Sequence, residues 1–238
     1  MKKTVWIPPL ALFAGLAGIV AWVLRWRLLQ TATEDTGLLT VGHPLAILSG
    51  VLTAAVVILT AVALWKHRKE KFVLRPAPLT ELARIPAMLM AAAALWGGSG
   101  MGRTVVLGKV AAIAAVLTAA AALVRCLLRK KQISPAVADI PALLFYMLCL
   151  FVRYPDWSGE PEVQRYAFSL LALVCLMFAT YARSAVVLGV GKCGLFLGAG
   201  FLGVYFAFAA AADPVFTGVF LAMGLWLLLQ LDTVTEEA

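Results

Sequence analysis

Ala83-Arg84-Ile85-Pro86-Ala87-Met88-Leu89 and Ala138-Asp139-Ile140-Pro141-Ala142-Leu143-Leu144 are two versions of one phrase. Five of the seven positions coincide, and the change that matters replaces Arg84 by Asp139. Each copy opens a long apolar run that follows a basic loop, and Ile7-Pro8 opens the first apolar run in a fainter echo. Proline suits the first turn of a helix, where its missing N–H would lack a partner anyway. The phrase therefore marks helix entries, with opposite charges at matching depth in two of them. Both a repeated helical hairpin and coincidence in an Ala/Leu-rich chain fit the match. A true repeat would relate spans three-four and five-six by rotation about the membrane normal.

Working outward, the 238 residues are 63% hydrophobic and 13% charged, with a mean hydropathy of +0.96. Soluble domains run at about 45–50% apolar and about 25% charged. Such a chain cannot cover its surface in water, so lipid is the expected solvent. The fold class is all-α: a polytopic membrane helical bundle of eight transmembrane helices, forming a single domain over residues 1–238. Cys126, Cys149, Cys175 and Cys193 lie in or at the ends of apolar runs without a CxxC, where Cys acts as a small hydrophobe, and this spacing disfavours a zinc or disulfide framework. No Asn occurs, so there is no N-x-[ST] acceptor.

A spanning helix needs about 20 mostly apolar residues. Runs over about 4–24, 44–65, 79–96, 104–124, 136–152, 165–182, 191–212 and 214–231 meet that need. Lys2 and Lys3 precede the first run, which continues into Trp22, Arg25, Trp26 and Arg27 without a small-x-small cleavage site, so it reads as a retained helix. Pro44 and the Ser134-Pro135 pair are helix-start signals. The Arg183–Cys193 turn is the least defined boundary.

Eight spans put both termini on one side. Lys2, Lys3, Lys66, Arg68, Lys69, Lys71, Arg75, Arg125, Arg129, Lys130, Lys131, Arg183 and Lys192 fall there, against Arg25, Arg27, Arg103, Lys109, Arg153 and Arg165 opposite. The excess of thirteen over six makes both termini cytoplasmic by the positive-inside rule. The net charge of +8 is thus an orientation signal with attraction for anionic membrane lipid, not a nucleic-acid signal. Trp6, Trp22, Trp26, Trp65, Trp96, Tyr154 and Tyr181 sit near span ends, as an aromatic belt requires.

Arg84 and Asp139 enter the apolar layer by roughly 5–8 Å at 1.5 Å per residue. Arg can snorkel from there, whereas Asp needs a partner or water. Arg84 has two candidate partners: Asp139 across helices, and Glu81 at i,i+3. Lys109, about one turn inside the outer face, reads as a snorkelling side chain.

No catalytic set emerges. Ser99 in the Gly97–Arg103 turn lacks a general base, since only His43 and His67 exist and neither lies in a later span. No HExxH, paired intramembrane Asp or His-rich cluster is present, so no metal, cofactor or enzyme activity is expected. The span centres near Gly15, Thr53, Met90, Ala115, Tyr146, Cys175, Tyr205 and Met223 hold no charge, which argues against a proton relay or a hydrophilic-solute carrier.

Two functional readings follow. The favoured one is a small carrier or binding protein for an apolar or amphipathic, lipid-like ligand. Its handles would be Arg84, Asp139, Tyr146, Tyr205 and Met90, with Met88 and Met223 beside them. The alternative is a non-catalytic membrane subunit or scaffold that presents Gly194, Gly198 and Gly203, or the loop around Trp157, to a partner protein or a second copy. The Ala/Gly richness and missing glycosylation sites fit a bacterial plasma membrane.

Overall fold

The computed structural model describes residues 2–3, 6–31, 43–68, 72–74, 78–98, 104–127, 136–158, 163–213 and 216–236. These form eight helices: α1 (Ile7–Thr31), α2 (Pro44–Lys66), α3 (Pro78–Gly98), α4 (Thr104–Leu127), α5 (Ala136–Ser158), α6 (Val163–Val187), α7 (Cys193–Ala210) and α8 (Thr217–Leu231). The fold is all-helical apart from three very short strands. Five helices, α1, α2, α4, α6 and α7, are long and apolar enough to cross a membrane. The apolar stretches of α3 from Leu82 to Gly97 and of α8 are shorter, and α5 carries Asp139 and Arg153 within its length.

Several helices outrun the expected spans. α1 continues through Trp22 and Arg25 to Thr31, and α5 continues to Ser158. α6 runs to Val187 instead of stopping at Ala182, which places Arg183 and Ser184 inside the helix. The turn that follows is short. Gly189 takes a left-handed φ of 78°, and the amides of Val190 and Gly191 both donate to the Ala185 carbonyl, which ties off the last turn of α6. α2 starts as its sequence suggests, with Pro44 in the first turn and His43 Nδ1 accepting from the Leu45 amide at 3.3 Å. The Ser134-Pro135 start and the Ser99 turn lie outside the described residues.

α7 is the axis of the bundle and packs on α1, α2, α6 and α8. Its spanning stretch is 83% buried, whereas that of α2 is 17% buried. A helix that is apolar on every side belongs inside. Small residues let its neighbours close on it. A Cβ on Gly203 would sit 2.7 Å from a methyl of Leu227, and one on Gly200 2.7 Å from a methyl of Leu231. The tightest approach comes from α1, where a Cβ on Gly18 would meet the Tyr205 carbonyl oxygen at 2.7 Å and the Phe208 Cβ at 2.8 Å. The remaining helices link α6 to α8 in chain order: α5 packs on α6, α4 on α5 and α3 on α4, and α3 closes back on α8. Ala111, Ala112, Ala115, Ala119 and Ala122 are buried on α4, so α3 and α5 pack against small side chains there.

The strands were not expected from the sequence. β1 (Lys2–Lys3), β2 (Phe72–Leu74) and β3 (Val234–Glu236) form an antiparallel sheet in the order β1-β3-β2. The acidic tail is thus its middle strand, and it brings the N-terminal residues, the C-terminal residues and the α2–α3 connection to one face. Trp6 joins this end by stacking on His67 at 4.4 Å and meeting Phe72 edge-on at 5.9 Å.

Gly18→Ala should destabilise the bundle by about 1–3 kcal/mol, because a backbone carbonyl cannot retreat from the added methyl. Gly194→Ala, where the methyl would meet nothing within 4 Å, is the control and should leave stability unchanged or slightly raised. Thermal unfolding of both variants in the same detergent checks the contrast.

Candidate functional site

Asp139, in the first turn of α5, is fully buried and accepts three hydrogen bonds. Its Oδ1 takes one from Arg84 Nη1 at 2.6 Å and one from Arg183 Nη1 at 2.8 Å, and its Oδ2 takes one from the Ser184 hydroxyl at 2.7 Å. Of the two partners open to Arg84 in the sequence, the structure shows Asp139 in direct contact; the Glu81 side chain lies outside the described residues. Arg183 and Ser184 were missed. They read as a loop beyond the sixth span, whereas the longer α6 turns both into the protein.

Trp226 of α8 covers both cations, with the guanidinium carbon of Arg84 4.6 Å and that of Arg183 5.7 Å from its ring. An aromatic face attracts desolvated guanidinium groups. One carboxylate thereby ties α3, α5 and α6 together under a side chain of α8. All three charged side chains are at most 3% exposed. The network is closed to solvent and hydrogen-bonded at both carboxylate oxygens, which is the arrangement of an internal lock rather than of an open ligand handle.

The other expected handles lie deeper. Tyr146 is fully buried beside Phe145, and its hydroxyl donates to Met223 Sδ at 3.3 Å. Tyr205 sits 2.7 Å from Thr53 Oγ1, whose single hydrogen goes to the Ser49 carbonyl, so Tyr205 is the donor. Met88 and Met223 are buried as well. Met90 does not join them. Two residues past the inward-facing Met88 it points away from the core, 46% exposed. Tyr146 and Tyr205 are thus spent on internal hydrogen bonds across helices.

The glycines expected to present a packing face divide. Gly198 faces Leu64 of α2, and Gly203 faces Leu227 of α8 and Cys175 of α6, so both serve packing within the chain. Gly194 meets nothing. The Trp157 side chain lies outside the described residues.

A second polar cluster closes the opposite end. Asp213 Oδ2 accepts from Arg153 Nη2 at 3.0 Å and from the Ser169 hydroxyl at 3.3 Å, and Arg153 lies 5.5 Å from the Phe216 ring. Arg25 is buried beside it, its guanidinium 4.0 Å from the Phe168 ring. In the sequence Arg25 and Arg153 directly follow the first and fifth expected spans and Asp213 falls in a turn; continuation of α1 and α5 as helix past those spans is what brings the two arginines inward.

Between these ends, a lateral groove of about 550 Å³ opens on the outer surface of the α3–α4 hairpin. α3 lines it with Ala92, Ala93, Trp96 and Gly97, and α4 with Ala112, Ile113, Val116 and Leu117. Every lining side chain is apolar or absent. Ala93 and Gly97 leave the space that larger residues would fill. Among the described residues no group of three or more His, Cys, Asp or Glu is placed to hold a metal ion, and no disulfide joins any of the four cysteines. In comparisons with family models, curated proteins and solved structures, the chain matched none.

Because one carboxylate serves two arginines, Asp139→Leu should cost about 3–5 kcal/mol by leaving two buried cations without their anion. Arg84→Met should cost less, since Arg183 and Ser184 still occupy the carboxylate. The Arg84→Met/Asp139→Leu double variant should deviate from additivity by about 0.5–3 kcal/mol. A double-mutant cycle by thermal unfolding measures this. Exchanging Arg84 and Asp139 should restore little stability, because an arginine at 139 would face Arg183.

Proposed function

We propose that this protein binds an apolar or amphipathic, lipid-like ligand within the membrane, as a small carrier or lipid-binding protein. The observation that carries the reading is the apolar groove between α3 and α4, set against a bundle interior in which Asp139, Tyr146 and Tyr205 are engaged by internal hydrogen bonds. A ligand recognised there would be held by apolar surface and shape, and it would enter sideways from the bilayer. The buried Asp139 network would then keep α3 fixed to α5 and α6, holding one wall of the groove in place.

In this reading all eight helices cross the membrane, α8 being the shortest. The gathering of the basic α2–α3 connection and both chain ends into one sheet supports assigning them to one side, and the excess of Lys and Arg there makes that side cytoplasmic. Composition favours a bacterial plasma membrane. The near-repeat at Arg84 and Asp139 is compatible with duplicated hairpins, although the two charges now serve as opposite halves of one pair.

A second reading rests on α2. Its spanning stretch is the least buried of the five, and Ile47, Val51, Ile58, Val62 and Trp65 form a long exposed apolar face. A membrane subunit that docks a partner helix would use this face, since Gly198 and Gly203 are occupied within the chain.

Gly97→Leu tests the first reading, because a Cβ at Gly97 meets nothing within 4 Å and the longer side chain projects into the groove without disturbing the core. Native mass spectrometry of gently purified protein should show retained lipid on the wild type and at least several-fold less on the variant at equal thermal stability. Equal retention would remove the groove as the site. A fluorescent protein fused after Ala238 should be fluorescent in a bacterial host, where the fusion folds only on the cytoplasmic side. A dark fusion, though well expressed, would overturn the topology.

A further inference from the structure

Lys109 stands on the same stripe of α4 as the groove. From it, Ala112 and Ile113 are three and four residues on, and Val116 and Leu117 are seven and eight on, which is the spacing of one helix face. The eight-residue step from Lys109 to Leu117 covers about 12 Å, most of the roughly 15 Å depth of one hydrocarbon leaflet. At the head of this stripe the Lys109 side chain is exposed, and its ammonium lies 5.8 Å from the ring of Trp96, which itself lines the groove. Among the described residues Lys109 forms no ion pair with a carboxylate. A cation next to an interfacial Trp, followed by an apolar channel running toward mid-membrane, matches an anionic phospholipid in charge and in length.

We infer that the α3–α4 groove selects a phosphate-bearing anionic lipid of the leaflet opposite the termini, its phosphate on Lys109 and one acyl chain lying along Ile113, Val116 and Leu117 beneath Trp96. This rests on the groove being the ligand site. Snorkelling of Lys109 toward the interface does not compete with it, since the interface is where lipid phosphates lie. The short side chains at Ala93, Gly97 and Ala112 accommodate the chain, and Lys109 supplies the preference for charge that an apolar groove alone lacks. A zwitterionic lipid gains less, because its own ammonium competes for the phosphate.

The test uses the full-length protein in detergent, titrated with phosphatidylglycerol, phosphatidylcholine and diacylglycerol of identical acyl chains, with bound lipid read by native mass spectrometry. Wild type should prefer phosphatidylglycerol over diacylglycerol by about five- to tenfold, as expected for a charge-assisted contact. Lys109→Met should bind all three alike, Lys109→Arg should keep the preference, and Gly97→Leu should lose all three. If Lys109→Met keeps the wild-type preference, or if wild type has none while Gly97→Leu still abolishes binding, the phosphate assignment is overturned and the groove reading stands. If Gly97→Leu binds as wild type does, both fall.

Discussion

Asp139 presents a carboxylate in the wall of an apolar bundle, where water is replaced as its solvent by three donors from two neighbouring helices. A buried charge is tolerated only when it is paired and its lone pairs are occupied. Here the demand for partners dictates geometry: α3 must bring Arg84, and α6 must extend one turn further to bring Arg183 and Ser184. Trp226 then fixes α8 above the two guanidinium groups. Lipid supplies no hydrophobic drive for helices to associate, so a directional polar contact of this kind can specify which helices meet. The cluster of Asp213, Arg153 and Ser169 at the far end does similar work between α5, α6 and the α7–α8 turn.

The second organising element is steric. α7 can occupy the centre because α1 offers Gly18 to its backbone and because Gly200 and Gly203 admit leucines of α8. Dispersion between closely packed surfaces then replaces the burial energy that a soluble core would have. The same use of small side chains has the opposite result on α3 and α4. There Ala93 and Gly97 face away from any neighbouring helix, and what is left is a concavity open to the bilayer.

The helical class and the approximate position of every helix were legible in the sequence, because apolar runs bounded by Lys, Arg and Trp have few physical interpretations. The meeting of Arg84 and Asp139 was legible too, as one of two options, from opposite charges at similar depth. Arg183 was not. Its place depends on α6 persisting past Ala182, and a polar Arg-Ser pair after an apolar run looks like a loop until a buried carboxylate is found opposite it. Arg153, just past the end of the fifth expected span, was obscured in the same way. The strands left no trace, since two or three residues carry no periodicity. The groove was invisible because it is formed by what Ala and Gly lack, and only the pairing of α3 with α4 shows where those gaps coincide.

The sheet that joins the chain ends bears on the order of assembly. Lys2 pairs with Glu236, and Glu236 also faces Phe72 across the middle strand. β1 and β2 each pair only with β3, which follows α8 in the chain, so neither has its partner strand until the eight described helices have been made.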